Sequence, residues 1–336
     1  MNGENAIEAA GVALTYSDGT EAVRGVDLTV PRGEFFGFLG PNGAGKTTTI
    51  KILATLLKPT GGRVTVNGFD VEREARNVRA SIGYMPQETS IDPELTAREN
   101  LAFACESYGV ARSERGERID ELLDLVDLAD VADKRADDFS GGMRKRLDAA
   151  TSLVHRPPLV FLDEPTTGLD PKARNRLWEY FRRINDQGTT IFLTTQYLEE
   201  ADQLCDRIGV IKSGEIVAEG SPTELKRRVG GEILDIELAD GQEEKEQAAR
   251  VAHESAIFES GVSIEVTAEG ISVTSERARS RGTDLLVALR DAGLTVTGFN
   301  VRAPTLDDVF LAITGEHVEE SVEDDEQSTE PTEVTQ

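Results

Sequence analysis

Gly40-Pro41-Asn42-Gly43-Ala44-Gly45-Lys46-Thr47-Thr48 decides how this chain is read. The stretch fits the pattern G-x-x-x-x-G-K-[ST] and stands where that pattern carries meaning. An apolar run at 34–39 precedes it, and a helix is predicted from Lys46 onward. The glycines let backbone N–H groups turn inward around phosphate oxygens, and a helix N-terminus adds the positive end of its dipole. Lys46 is placed to reach the outer phosphates, and Thr47 to offer its hydroxyl to Mg²⁺. A chance glycine turn would not arrive with strand, loop and helix all in place.

Further along, Leu159-Val160-Phe161-Leu162 reads as a buried parallel strand that delivers Asp163 and Glu164 at its C-terminal end. Ligands sit at that end of strands in open α/β sheets. Asp163 suits a Mg²⁺ shell, and Glu164, one step on, points differently and can polarise a water. Alone, an apolar strand ending in Asp-Glu is commonplace and more often a strand end before a helix cap; beside a phosphate loop it acquires a function. Phe139-Ser140-Gly141-Gly142-Met143 taken alone is an ordinary helix start.

The three motifs in this order resemble the ATP-binding-cassette (ABC) family over nearly all of residues 7–228. In that resemblance Ser140, Gly141 and Gly142 match the signature sequence. The flanks depart from it, since much of the family has LSGGQ where this chain has FSGGM. Tyr16 matches the aromatic that stacks on adenine. Gln87, in Tyr84-Met85-Pro86-Gln87, matches the glutamine of the flexible loop and joins Thr47 and Asp163 as a Mg²⁺ ligand. Gly168-Leu169-Asp170 matches the D-loop. The resemblance implies an ATPase in which two cassettes pair head to tail. Each ATP would lie between Lys46 of one copy and Ser140 and Gly142 of the other. One chain carries one such set, so a second copy or a related subunit is implied, together with a multi-span membrane permease on a separate chain.

One position departs from the family. After the strand-like run 190–195, where a histidine commonly contacts the γ-phosphate, this chain has Gln196. An amide can donate to phosphate but cannot take up a proton. The proposed catalytic set is therefore Glu164, Lys46 and Gln196, with water activation resting on Glu164. Thr194-Thr195-Gln196-Tyr197-Leu198-Glu199-Glu200-Ala201-Asp202 and Ala303-Pro304-Thr305-Leu306-Asp307-Asp308-Val309-Phe310-Leu311 are similar to ATPase subunits of daunorubicin-resistance-type exporters. The implied cargo is a drug-like or lipophilic compound. Segment 303–311 also reads as a capped amphipathic helix packing an accessory domain.

The predicted architecture is α/β. A P-loop ABC cassette fills 5–228, its mostly parallel sheet joined by an antiparallel β-subdomain and a helical subdomain near 88–153. A small ferredoxin-like α+β domain of order β-α-β-β-α-β follows at 232–315. Residues 316–336 hold nine acidic residues and no Lys or Arg, and read as disordered. Arg112–Arg118 and Arg144–Arg146 read as solvated helix faces.

Composition bounds the rest. With 36 Lys+Arg against 62 Asp+Glu, the formal charge is −26. That balance opposes nucleic-acid binding, which needs cations to neutralise phosphates, and is common in proteins of high-salt cytoplasm. Cys105 and Cys205 are far apart, read as small buried hydrophobes, and the three histidines are scattered. No signal peptide and no ~20-residue apolar run appears, so a cytoplasmic protein held to the membrane by its permease is expected. Two other readings compete. One is a soluble ABC-type ATPase of translation or repair, which usually carries a second cassette or a long coiled coil. The other is a binding module without hydrolysis, against which Lys46, Asp163 and Glu164 stand intact.

Overall fold

The structure, a computed structural model, describes residues 4–239, 241–255, 257–258 and 262–314; the acidic stretch 316–336 lies outside them. β1 (Asn5–Thr15) and β2 (Glu21–Pro31) pair antiparallel around the turn at Asp18-Gly19. β3 (Phe35–Leu39) leads through the glycine loop into α1 (Lys46–Leu53). β4 (Gly61–Val66) and β5 (Phe69–Asp70) complete a four-stranded sheet of order β2-β1-β4-β5. Along β2, Val23, Val26, Leu28 and Val30 are buried while their neighbours face out, the near-alternation of a half-covered antiparallel strand.

After α2 (Ala75–Ala80) comes β6 (Ile82–Met85), and then α3 (Ala97–Ser107), α4 (Arg115–Leu125) and α5 (Gly141–Thr151) build the expected helical unit. Next in the chain are β7 (Leu159–Asp163), α6 (Pro171–Asp186), β8 (Thr190–Thr195) and α7 (Leu198–Leu204). β9 (Arg207–Lys212), β10 (Glu215–Gly220) and α8 (Pro222–Arg228) close this part. The six-stranded sheet runs β10-β9-β3-β8-β7-β6 and is parallel except for the β9–β10 hairpin.

Strand period splits the core in two. Phe36, Phe38, Phe161 and Phe192 face the antiparallel sheet and α1, with the Phe36 and Phe192 rings stacked at 5.4 Å. Phe35, Leu39, Val160, Leu162, Ile191 and Leu193 face the helical unit and α6. Both faces of this sheet are therefore buried, which is why its strands are continuously apolar.

A second unit follows: β11 (Glu232–Leu238), α9 (Gln242–Glu254), β12 (Ser263–Val266), β13 (Gly270–Ser275), α10 (Ala278–Asp291) and β14 (Val296–Arg302). Its antiparallel sheet, ordered β12-β13-β11-β14, is the ferredoxin-like arrangement. α10 begins earlier than the sequence pattern indicates. Gly282, a poor helix former, lies within it because a side chain there would press Leu234, its Cβ within 3.3 Å.

The last helix, α11 (Leu306–Thr314), corrects one expectation. Its buried apolar residues do not join the accessory core, although Asp308 pairs with Arg302 of β14. Leu306, Val309 and Phe310 join the large cassette core, against α7 and α8. Its start is capped by Thr305, whose hydroxyl accepts from Asp308 N–H, while Asp308 takes the Thr305 N–H at 2.7 Å.

Candidate functional site

The strand order explains why distant motifs meet. β3, β8, β7 and β6 are neighbours, and their C-terminal ends carry, in turn, the glycine loop, Gln196, Asp163-Glu164 and the segment leading to Gln87. The register pairs Leu39 with Thr195, Asp163 with Thr194 and Met85 with Leu162, so the four segments leave the sheet at one edge.

The loop itself needs its glycines. Gly45 has φ of +105°, and a Cβ there would lie 2.4 Å from Ala22 O, so both conformation and space exclude a side chain. Lys46 is 4% exposed; its ammonium donates to Gly40 O at 2.8 Å and Pro41 O at 3.1 Å, and pairs with Glu164 Oε1 at 3.0 Å. Glu164 also accepts from Gln87 Nε2 at 3.2 Å. Its backbone sits at φ +48°, a left-handed conformation that costs a non-glycine residue energy. The turn is held because its N–H donates to Thr194 O at 3.1 Å.

Asp163 is buried. Its Oδ1 accepts from Thr47 Oγ1 at 3.1 Å and Thr194 Oγ1 at 2.7 Å, and its Oδ2 has no hydrogen-bond partner among the described residues. Burial pushes its carboxyl pKa up, against the pull of those two hydroxyls. A buried, unpaired carboxylate oxygen beside a threonine hydroxyl is a hard, all-oxygen donor set that suits Mg²⁺. Burial, and then the Asp163 charge, also raise the Tyr84 phenol.

The remaining sequence candidates fall in two places. Tyr16 is half exposed, and its hydroxyl lies 3.1 Å from Thr48 Oγ1, beside the loop. Gln196 is buried at the end of β8. Ser140 and Gly141 are exposed at the start of α5, where the Ser140 hydroxyl accepts from Met143 N–H at 3.3 Å. A Cβ on Gly142 would meet the Ala173 Cβ at 2.8 Å, so this glycine permits the close approach of α5 and α6. Asp170 caps α6, its carboxylate accepting from Ala173 N–H at 2.9 Å. Gly142 and the Asp170 carboxylate thus meet at Ala173, the start of α6.

Three basic residues read as solvated are not. Lys145 donates to Gln87 O at 2.5 Å, and burial pulls its pKa down. Arg146 donates to Val126 O at 2.6 Å. Arg118 is 7% exposed and bonds Leu153 O at 2.6 Å and Val154 O at 3.2 Å. The sequence reading also passed over Thr194, which touches both acidic residues of the site. A hydroxyl on an apolar strand, one residue before a polar turn, is the signal that would have found it.

Residues 23–167 match the family model of ABC transporters, and residues 220–314 that of the C-terminal domain of DrrA1-3-like ATP-binding proteins. The chain is 44% identical over 311 residues to the daunorubicin/doxorubicin resistance ATP-binding protein DrrA of Streptomyces peucetius, covering 92% of each chain. It is 35% identical to the linearmycin resistance ATP-binding protein LnrL of Bacillus subtilis, covering 92% of this chain and 98% of that one. Against the Nod factor export ATP-binding protein I of Burkholderia thailandensis it is 37% identical, with coverage of 89% and 93%. The solved ATP-binding subunit of an ABC transporter aligns with a TM-score of 0.60 at 30% identity, over 66% of this chain and 92% of that one. A dimeric cassette in a post-hydrolysis state, bound to ADP and phosphate, aligns with a TM-score of 0.59 at 29% identity, over 64% and 98%.

Proposed function

This chain belongs to the ABC transporter family as an ATP-binding subunit of the daunorubicin-resistance type, and from that premise we propose that it drives export of a drug-like or lipophilic compound through a permease carried on a separate chain. The observation that carries the site assignment is the buried cluster of Lys46, Glu164, Asp163 and Thr47, with one Asp163 oxygen unpaired. Lys46 and the loop N–H groups would hold the phosphates, and Tyr16 the adenine. Thr47, Asp163 and Gln87 would hold Mg²⁺, which supplies charge neutralisation at the phosphate oxygens.

Glu164 acts as the base that polarises water, which requires Lys46 to leave it for phosphate. Gln196 donates an amide hydrogen to phosphate and takes no proton. Ser140 and Gly141, exposed at the start of α5, and the half-buried Gly142 beside them would serve the nucleotide of a second copy, and the cap at Asp170 sets the adjoining turn. A homodimer supplies two complete sites.

Among the described residues no helix is long and apolar enough to cross a membrane. The permease would therefore hold this subunit at the inner face of the membrane and carry the cargo contacts. Affinity purification of the tagged chain from detergent-solubilised membranes tests the assembly. Recovery of a multi-span membrane protein supports it; co-sedimentation with ribosomes instead sinks it.

A further inference from the structure

Glu200 is a charged residue with no exposure to solvent, in the first turn of α7 and four residues after Gln196. Its Oε1 accepts two hydrogen bonds from other elements, Trp178 Nε1–H of α6 at 2.9 Å and Thr166 Oγ1–H at 2.9 Å. Thr166 is itself buried and lies two residues past Glu164. One oxygen atom therefore ties together the turn that carries Glu164, the helix that follows the D-loop segment, and the helix that begins beside Gln196.

Burying a carboxyl group is costly unless its partners are well placed. The cost here is raised further because Oε2 has no hydrogen-bond partner among the described residues. An apolar side chain would avoid that cost but would leave the buried Trp178 N–H and Thr166 hydroxyl without an acceptor, so the carboxylate is tied to the joint those two donors make. Glu164 supplies a reason for that joint. It occupies a left-handed backbone conformation, φ +48°, that its own residue type disfavours and that the surroundings must hold.

We propose that Glu200 is a positioning residue for ATP hydrolysis: through Thr166 it fixes the Glu164 turn against the Gln196 turn, so that base and phosphate-binding amide keep one spacing. This rests on the roles given above to Glu164 and Gln196. Burial pushes the Glu200 carboxyl pKa up, so a neutral amide is tolerated in its place.

The test is steady-state phosphate release by the purified full-length chain, read as kcat and KM for ATP. Glu200→Met removes both acceptor bonds and should lower kcat about ten- to a hundredfold, as misplaced catalytic groups do, with KM nearly unchanged. Thr166→Val cuts the link to the Glu164 turn with little change of shape and should lower kcat to a similar extent, which keeps the test alive if Glu200→Met does not fold. The double variant should be no slower than the worse single, because both break one connection. Glu200→Gln retains an acceptor oxygen and should restore kcat. Wild-type kcat in Thr166→Val, effects that multiply in the double variant, or a loss appearing in KM would overturn the proposal. If the wild-type chain itself releases no phosphate, the proposed ATPase site fails and this inference with it; an active wild type with equally active variants defeats the inference alone.

Discussion

Lys46 Nζ and Glu164 Oε1 are 3.0 Å apart, in an ion pair whose side chains are 3% and 7% exposed. The cation proposed for phosphate and the carboxylate proposed for water hold each other. Their surroundings are unequal. Without Glu164, Lys46 would keep two carbonyl acceptors, Gly40 and Pro41; without Lys46, Glu164 would keep the Gln87 amide.

That asymmetry orders two variants. Glu164→Gln leaves the Lys46 ammonium its two carbonyl acceptors, so it should fold, bind ATP and hydrolyse it at least about a hundredfold more slowly. Lys46→Met strands a buried carboxylate and should cost the nucleotide-free protein about 3–5 kcal/mol. Urea unfolding and phosphate release measure the two. Normal turnover in Glu164→Gln would show that another group activates the water.

His155 gives the protein an acid-sensitive point outside the candidate site. Its ring stacks on Tyr108 at 4.0 Å with planes 4° apart, and Nε2 lies 2.9 Å from Ile82 O. Nδ1 is buried without a hydrogen-bond partner among the described residues. Burial first, and then nearby Arg118, lower its pKa from 6.5 to about 4. The folded state therefore resists a proton that the unfolded chain accepts, and the stabilisation is complete above the unfolded value. Between pH 6.5 and about 4 the unfolded chain binds more protons, so stability should fall as pH drops through this window. The loss should reach about 1–3 kcal/mol once solvent screening is allowed for. Denaturant titrations of wild type and His155→Gln across this range isolate it; parallel slopes would dismiss it.

The site was more legible than the contacts that support it. Lys46, Asp163 and Glu164 stand in local patterns that can be read from spacing, and strand order brings them together. β6 was not foreseen because Ile82-Gly83-Tyr84-Met85 holds a glycine, and the reason for that glycine is tertiary: a Cβ there would lie 2.2 Å from Ser152 O. α8 was missed although its start is announced by Ser221-Pro222 and a capping box with Glu224. For α11 the apolar pattern specified a helix but not which surface it covers. For Lys145 a charge on a helix face reads the same whether it meets water or the Gln87 carbonyl.

The net charge of −26 sets a salt dependence. Carboxylates crowded on one surface repel one another in the compact state, and added salt screens that repulsion. The melting temperature should rise by several degrees between about 0.1 and 2 M KCl, where the screening length shrinks from about 10 Å to below 3 Å. A melting temperature that falls or stays flat would show that the ion pairs of this fold, such as Arg302 with Asp308 at 2.6 Å, outweigh the repulsion.

Head-to-tail pairing makes a quantitative claim about mixtures. Lys46→Ala should inactivate the site whose phosphate loop it occupies, and Ser140→Ala the site built on its partner's phosphate loop. In a dimer of one variant with the other, one site receives both substitutions and the second receives neither. Each variant alone has no intact site. Mixed in equal amounts and allowed to exchange, half of the dimers are hybrids with one good site of two, so phosphate release should recover to about a quarter of wild type in a symmetric pair. A mixture no more active than its components would mean that Ser140 does not act across the pair, and the composite site would have to be abandoned.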